Sequence, residues 1–157
     1  MKDWKKLLIS ILLCQMAGVV GAFFTTPAIK SWYVFLIKPT FAPPNWLFGP
    51  VWVTLYVLMG ISLYLVWKKG LNKKEIKSAF TLFLIHLVFN SLWSIVFFGL
   101  KSILGGFIEI SVLLVLVSII IVKFYKINKI SAYLLVPYFF WGAFATFLNF
   151  NILILNL

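Results

Sequence analysis

The sequence contains no arginine, one cysteine and only three acidic residues. Fourteen lysines are therefore balanced only by Asp3, Glu75 and Glu109, and the formal net charge is +11. A single cysteine, Cys14, excludes an internal disulfide and a metal site built from cysteines. With one histidine, His86, and so few carboxylates, no ligand set for zinc remains. We expect no metal site and no required cofactor.

Apolar residues make up 64% of the 157 residues, and 19% are aromatic. Soluble domains are roughly 45–50% apolar, and no soluble fold of this size could bury the excess. In a soluble protein, so many lysines would suggest nucleic-acid binding. Here they separate long apolar runs, as in loops that face an anionic leaflet. We therefore expect membrane lipid, and no nucleic acid, among the partners.

Five stretches carry almost no charge, and each reaches the roughly 20 residues that cross a bilayer as a helix. They are 7–29, 47–67, 79–100, 103–122 and 130–155. The connectors between them are mostly short, so helices adjacent in sequence should be antiparallel neighbours. The sequence predicts an all-α integral membrane protein, a bundle of five transmembrane helices with a structured first external loop, forming one domain over 1–157.

The lysines also predict the orientation of this bundle. With five spans, the N-terminal tail, the second loop and the fourth loop share one side of the membrane. That side holds eleven lysines, against Lys30, Lys38 and Lys101 on the other. By the positive-inside rule, the N-terminus is cytoplasmic, and the first loop and the C-terminus are external.

A cleaved secretory signal is an alternative for the first span, because lysines precede an apolar run that ends near Val20-Gly21-Ala22. The run is longer than the 7–15 residues of an ordinary signal core. Cleavage would also leave four spans and mix the lysine clusters. We expect the segment to stay as a helix, with Ala17, Gly18, Gly21 and Ala22 allowing close helix packing.

The first loop, from Lys30 to Trp46, is too apolar for a solvated linker. Pro39, Pro43 and Pro44 prevent a continuous helix there, and its aromatic residues provide surface to bury. We predict a lid over one end of the bundle.

Helical projection places polar and aromatic side chains on shared faces of three spans. The second span aligns Trp52, Tyr56 and Met59, the third aligns His86, Asn90, Trp93 and Phe97, and the fifth aligns Pro137, Trp141, Ala145 and Asn149. Polar groups at mid-membrane depth avoid lipid, so these faces predict an aromatic pocket beneath the lid. The alternative is that they are packing aromatics and interhelical hydrogen bonds, with His86 structural.

Glu109 is the only acidic residue inside a predicted span. An unpaired carboxylate is costly there, so it should be protonated, partnered or close to the interface. One carboxyl group is too few for a proton relay, and we do not expect proton transport.

Several motifs, in order along the chain, resemble the translocator protein family, also called TspO or the peripheral benzodiazepine receptor family. They are Trp32-Tyr33 with Lys38-Pro39, FAPPNWLFGPVWVTLY from Phe41 to Tyr56, FNSLWSIVFFGL from Phe89 to Leu100, and PYFFWGAFATFLNFNI from Pro137 to Ile152. The resemblance covers nearly the whole chain and is of the prokaryotic type.

The resemblance implies a five-helix homodimer whose pocket under the first loop binds tetrapyrroles such as protoporphyrin IX, and also benzodiazepine-type and isoquinoline ligands. It implies a site lined by Tyr33, Trp52, Asn90, Trp93, Trp141, Ala145 and Leu148. Bacterial members are also associated with light-dependent oxidative breakdown of the porphyrin, which implies this role for Trp52 and Trp141. The porphyrin would then be ligand or substrate.

The cholesterol-recognition segment of animal members, by contrast, needs Tyr and Arg near the end of the fifth helix. This chain has Asn149-Phe150-Asn151 and no basic residue up to Leu157. We therefore do not expect cholesterol as a partner. The lysine bias and the lack of a targeting extension point to a prokaryotic plasma membrane.

The leading functional hypothesis is a membrane receptor or sensor for porphyrin-type tetrapyrroles that also degrades them in light. One alternative is a transporter of tetrapyrroles or lipids, although the sequence has no inverted repeat and no coupling-ion site. Another is a non-catalytic regulatory membrane subunit whose lysine-rich loop at 68–77 docks a protein or anionic lipid.

Overall fold

Five long helices account for most of the computed structural model, which describes residues 2–157. They are α1 (Asp3–Ser31), α2 (Asn45–Lys68), α3 (Lys74–Ser94), α4 (Ile103–Ile127) and α5 (Lys129–Leu155). Each is long and apolar enough to cross a membrane. The predicted all-α membrane architecture is confirmed.

The helices extend beyond the uncharged runs that predicted them. α1 already begins at Asp3, and α3 begins at Lys74, four or five residues before the apolar run at 79. Charged residues with good helix propensity continue a helix into the interface without entering the hydrocarbon region. Side-chain caps then fix the starts of the last two helices, where Ser102 accepts from Gly105 N and Asn128 accepts from Ser131 N, each at 3.1 Å.

A π-helical turn, Ile95–Gly99, follows α3 directly. The amide of Leu100 donates to the carbonyl of Ile95 at 2.8 Å, five residues back, and Lys101 then takes a left-handed φ of 55°. This wider turn brings Phe97 into close contact with α4, where a Cβ on Gly106 would lie 2.9 Å from that of Phe97. The short connection between α3 and α4, around Lys101, is formed in this way.

The helices pack so that α1 contacts α2 and α3, α4 contacts α3 and α5, and α2 contacts α5. A fully buried core that includes Met59, Leu63, Phe83 and Phe124 lies between them. The closest crossing is between α1 and α2, where a Cβ on Gly60 would lie 2.6 Å from Cα of Ile11. Small residues let backbones approach in this way within a bilayer.

Contacts at the two ends of the helix bundle show which segments lie on the same side of it. Asp3 and Lys68 form an ion pair at 3.1 Å, so the N-terminus lies beside the second loop. At the opposite end, the side chain of Asn156 accepts from the amide of Ile37 at 3.0 Å and donates to its carbonyl at 2.9 Å. The first loop and the C-terminus therefore meet, as five spans require.

Candidate functional site

The first loop folds over the bundle at the Asn156 end. α1 ends at Ser31, a single 3₁₀ turn occupies Tyr33–Phe35, and an irregular segment leads to α2. The ammonium group of Lys38 donates to the carbonyls of Tyr33 and Leu36, each at 2.9 Å, and lies 4.9 Å from the Tyr33 ring centroid. We call residues 32–44 the lid. Its presence confirms the structured first loop.

Tyr33 points from the lid into the protein and is only 5% exposed. Its ring packs against Phe97 and Phe98 with centroid distances of 6.3 and 5.6 Å. Burial raises the pKa of the Tyr33 phenol above its ordinary value. The phenol therefore stays neutral at physiological pH.

A cavity of about 470 Å³ lies beneath the lid and is lined by residues of α1, α2, α3 and α5. Its volume is within the roughly 300–1,000 Å³ typical of small-molecule sites. Aromatic rings dominate the part of the wall made by α2 and α3, whereas α1 contributes small residues such as Gly18 and Gly21. One side of the cavity is therefore flat and aromatic, and the small residues on the other side let an occupant come close to the backbone of α1.

Six of the seven predicted site residues line this cavity: Tyr33, Trp52, Asn90, Trp93, Ala145 and Leu148. Trp141 does not reach its wall. It packs instead against Phe48, which does line the cavity, at a centroid distance of 5.8 Å. His86 also lies outside the cavity, behind Asn90.

The predicted inward face of α5 is partly wrong. Pro137 is exposed and Trp141 is half-buried, whereas Tyr138 is 2% exposed. Each step of four residues along a helix rotates about 40° beyond a full turn. A stripe of three such steps, from Pro137 to Asn149, therefore rotates away from the core. The buried face follows a seven-residue spacing through Ser131, Tyr138, Ala145 and Ile152, and this spacing was the signal that could have identified Tyr138.

Two residues that line the cavity each have a polar atom without a partner among residues 2–157. The indole N–H of Trp93 and the side-chain oxygen of Asn149 are both buried without a hydrogen bond. A buried donor or acceptor left unpaired is costly. Because both atoms are fully buried, an occupant of the cavity would reach them only if these side chains turned toward it.

Glu109 lies away from the cavity, buried in the second turn of α4 and only 8% exposed. Neither of its carboxyl oxygens has a hydrogen-bond partner in the described part of the chain. Of the three alternatives expected for Glu109, a partner is therefore not found, and protonation and a position close to the interface stay predictions.

Comparison with known proteins gives the cavity a context. A sequence model described as the TspO/MBR family matches residues 10–155. The chain is 45% identical over 152 residues to the Tryptophan-rich protein TspO of Archaeoglobus fulgidus, covering 96% of this chain and 97% of that protein. It is 40% identical to the protein of the same name in Chlorobaculum tepidum, covering 96% and 95%.

A more distant relative matches over a shorter stretch. The human Translocator protein is 35% identical over 133 residues, covering 83% of this chain and 78% of that protein. The match to the family model reaches from α1 into α5 and includes the lid and every residue that lines the cavity. This multi-pass membrane protein belongs to the TspO/MBR family.

Proposed function

We propose that this protein binds a porphyrin-type tetrapyrrole in the cavity beneath the lid and promotes its oxidative breakdown in light. The observation that carries the proposal is the aromatic wall, where the half-buried rings of Trp52 and Trp93 border the same cavity. A large flat macrocycle gains apolar contact and offset stacking on such rings.

The photochemistry follows from the position of Trp52. A porphyrin excited by light is a one-electron oxidant, and an indole in contact with it is a ready electron donor. The electron passes from Trp52 to the macrocycle and then to dioxygen, which is reduced to superoxide. Reactive oxygen formed against the macrocycle attacks it. Trp141 packs behind Phe48, which lines the cavity, and is a second indole close enough to act as a donor.

A titration with protoporphyrin IX, followed by quenching of tryptophan fluorescence, tests binding. We expect saturable quenching that weakens in the double variant Trp52→Phe, Trp93→Phe. Trp67→Phe is the matched control, since Trp67 packs on Phe80 in the core and does not line the cavity. Quenching that never saturates, or that the double variant leaves unchanged, would refute the pocket assignment.

Illumination of the complex in air tests breakdown separately. We expect loss of porphyrin absorbance faster than for free porphyrin in detergent, and slower loss in Trp52→Phe and Trp141→Phe. If porphyrin absorbance is lost equally fast with and without the protein, the protein is a binding protein or sensor and has no enzymatic role. Benzodiazepine-type and isoquinoline ligands are expected to displace the porphyrin, because they would occupy the same apolar space.

We further propose that the protein is a homodimer in the plasma membrane, with its N-terminus in the cytoplasm. The homodimer and the membrane rest on the resemblance, and the orientation rests on the eleven lysines at the Asp3 end. Chemical crosslinking in native membranes tests the dimer. A single band at the mass of one chain, at all crosslinker concentrations, would exclude it.

A further inference from the structure

A chain of hydrogen bonds runs beneath the cavity and joins three helices. The hydroxyl of Tyr56 in α2 donates to Oδ1 of Asn90 in α3 at 2.5 Å. Nδ2 of Asn90 donates to the hydroxyl oxygen of Tyr138 in α5 at 3.0 Å. That hydroxyl lies 2.8 Å from Nε2 of His86. All four side chains are buried, with at most 7% exposure.

The amide of Asn90 fixes the direction of this chain, because its oxygen only accepts and its nitrogen only donates. The Tyr138 oxygen accepts from Asn90, so in the tautomer of His86 that carries its proton on Nδ1 the Tyr138 proton points to Nε2, the remaining hydrogen-bond partner of that hydroxyl in the described chain. Tyr138 thus donates to an imidazole, which is a base. Tyr56 donates to an amide oxygen, which is not a useful base near neutral pH.

Trp52 connects the chain to the cavity. Its ring lines the cavity wall and contacts both tyrosines, with centroid distances of 5.6 Å to Tyr56 and 6.1 Å to Tyr138. Tyr138 therefore contacts a residue of the cavity wall, and His86 is hydrogen-bonded to Tyr138. Neither side chain borders the cavity itself.

We propose that Tyr138 and His86 act together as a proton-coupled electron donor that re-reduces Trp52 after it has been oxidised. The step rests on the proposed function, whose light-excited porphyrin is the one-electron oxidant that takes an electron from Trp52. Tyr138 then gives one electron to the Trp52 radical cation and its hydroxyl proton to Nε2 of His86. The products are restored Trp52, a neutral Tyr138 phenoxyl radical and a protonated His86, with the transferred electron on the porphyrin or, beyond it, on dioxygen.

The proton transfer is what makes the electron transfer favourable in this environment. A phenol that loses an electron becomes a radical cation, which is a far stronger acid than an imidazolium. Moving the proton along the existing 2.8 Å hydrogen bond leaves the radical neutral and the charge on an imidazolium. The relay protects Trp52, because an indole radical that is not reduced reacts irreversibly with oxygen.

Electron paramagnetic resonance of the illuminated protoporphyrin IX complex tests the relay. We expect a tyrosyl radical that is lost in Tyr138→Phe. In His86→Gln, whose amide can accept a hydrogen bond but cannot take the proton, the radical should form about 100-fold more slowly, the lower end of the effect of a positioned base. Tyr133→Phe is the matched control on the same helix, since Tyr133 is 59% exposed and lies outside the chain.

Two further measurements separate the relay from a structural role. Porphyrin titration of each variant shows whether it still folds and binds. In the unaltered protein, formation of the radical should be slower in deuterium oxide than in water, a result that no folding defect can imitate. A tyrosyl radical that persists in Tyr138→Phe, or a rate that is the same in both solvents, would overturn the relay.

Failure of the proposed function would be recognised independently, as absence of saturable porphyrin binding to the unaltered protein. The relay would then be tested without ligand, by laser photoionisation of the indoles and optical detection of their radicals. We expect part of the indole radical signal to convert to a tyrosyl signal in the unaltered protein and in Tyr133→Phe. The same conversion in Tyr138→Phe would overturn the relay even then.

Discussion

Asn90 satisfies two tyrosine hydroxyls at once, and a bilayer interior offers few other partners for them. Replacing Asn90 with Leu keeps similar volume but leaves the Tyr56 proton without an acceptor and the Tyr138 oxygen without its donor. We expect a loss of about 1–3 kcal/mol for each unsatisfied group. Thermal unfolding in detergent measures the loss.

The matched control for that substitution is Asn151→Leu. Asn151 lies near the C-terminal end of α5, and its amide bonds only to the carbonyl of Phe147 in its own helix. A fall in unfolding temperature that is equal for both variants would show that the Asn90 bonds add nothing specific.

Gly60 is the residue on which the crossing of α1 and α2 depends. A Cβ there would lie 2.6 Å from the backbone Cα of Ile11, and a backbone atom cannot rotate away as a side chain can. Gly60→Ala should therefore force the helices apart and cost about 1–3 kcal/mol.

Gly142→Ala provides the comparison, because its Cβ would meet only Leu114 Cδ1 at an ordinary 3.6 Å. Alanine has the better helix propensity, so this variant should be as stable as the unaltered protein or more stable. Thermal unfolding of both variants measures the difference, and equal stability of Gly60→Ala and Gly142→Ala would contradict the close crossing.

At the scale of elements, one lysine joins two turns of the lid. The ammonium group of Lys38 donates to the carbonyls of Tyr33 and Leu36 in this irregular part of the chain. Lys38→Met keeps the apolar stem but removes all three donors. We expect faster amide hydrogen exchange across residues 32–44 and weaker porphyrin binding.

Lys30→Met removes the same charge from the end of α1, where no side-chain hydrogen bond or ion pair holds it within the described structure. It should leave exchange in the lid unchanged. If both variants loosen the lid equally, the general loss of positive charge, and not the Lys38 bonds, is responsible.

The five helices could be predicted because a bilayer demands a long apolar run for each crossing, and the sequence shows those runs directly. The cavity residues on α2 and α3, such as Trp52 and Asn90, also followed from helical faces. Tyr138 did not, because a stripe drawn through Pro137 and Trp141 in steps of four drifts off the core. The π-helical turn at Ile95–Gly99 was missed as well, since it depends on packing between Phe97 and Gly106 that periodicity does not reveal.

At the scale of the whole molecule, the two ends differ strongly in charge. Eleven lysines lie on the tail, the loops and the helix ends of the Asp3 end, and three lie on the other side. The ion pair of Asp3 with Lys68 and the bonds of Asn156 with Ile37 group the segments in the same way. The lysine-rich end should therefore be retained in the cytoplasm during insertion, and the lid should face outward.

Chemical labelling of single introduced cysteines in intact cells tests this orientation. In a background where the buried Cys14 is replaced by alanine, Lys101→Cys should react with a membrane-impermeant maleimide added outside. Lys73→Cys should react only after the membrane is permeabilised, because it lies in the second loop. Both positions are exposed, so a difference in labelling reports the side of the membrane and not burial. Labelling of Lys73→Cys in sealed cells would reverse the assignment and would place the lid, and the entrance to the cavity, on the cytoplasmic side.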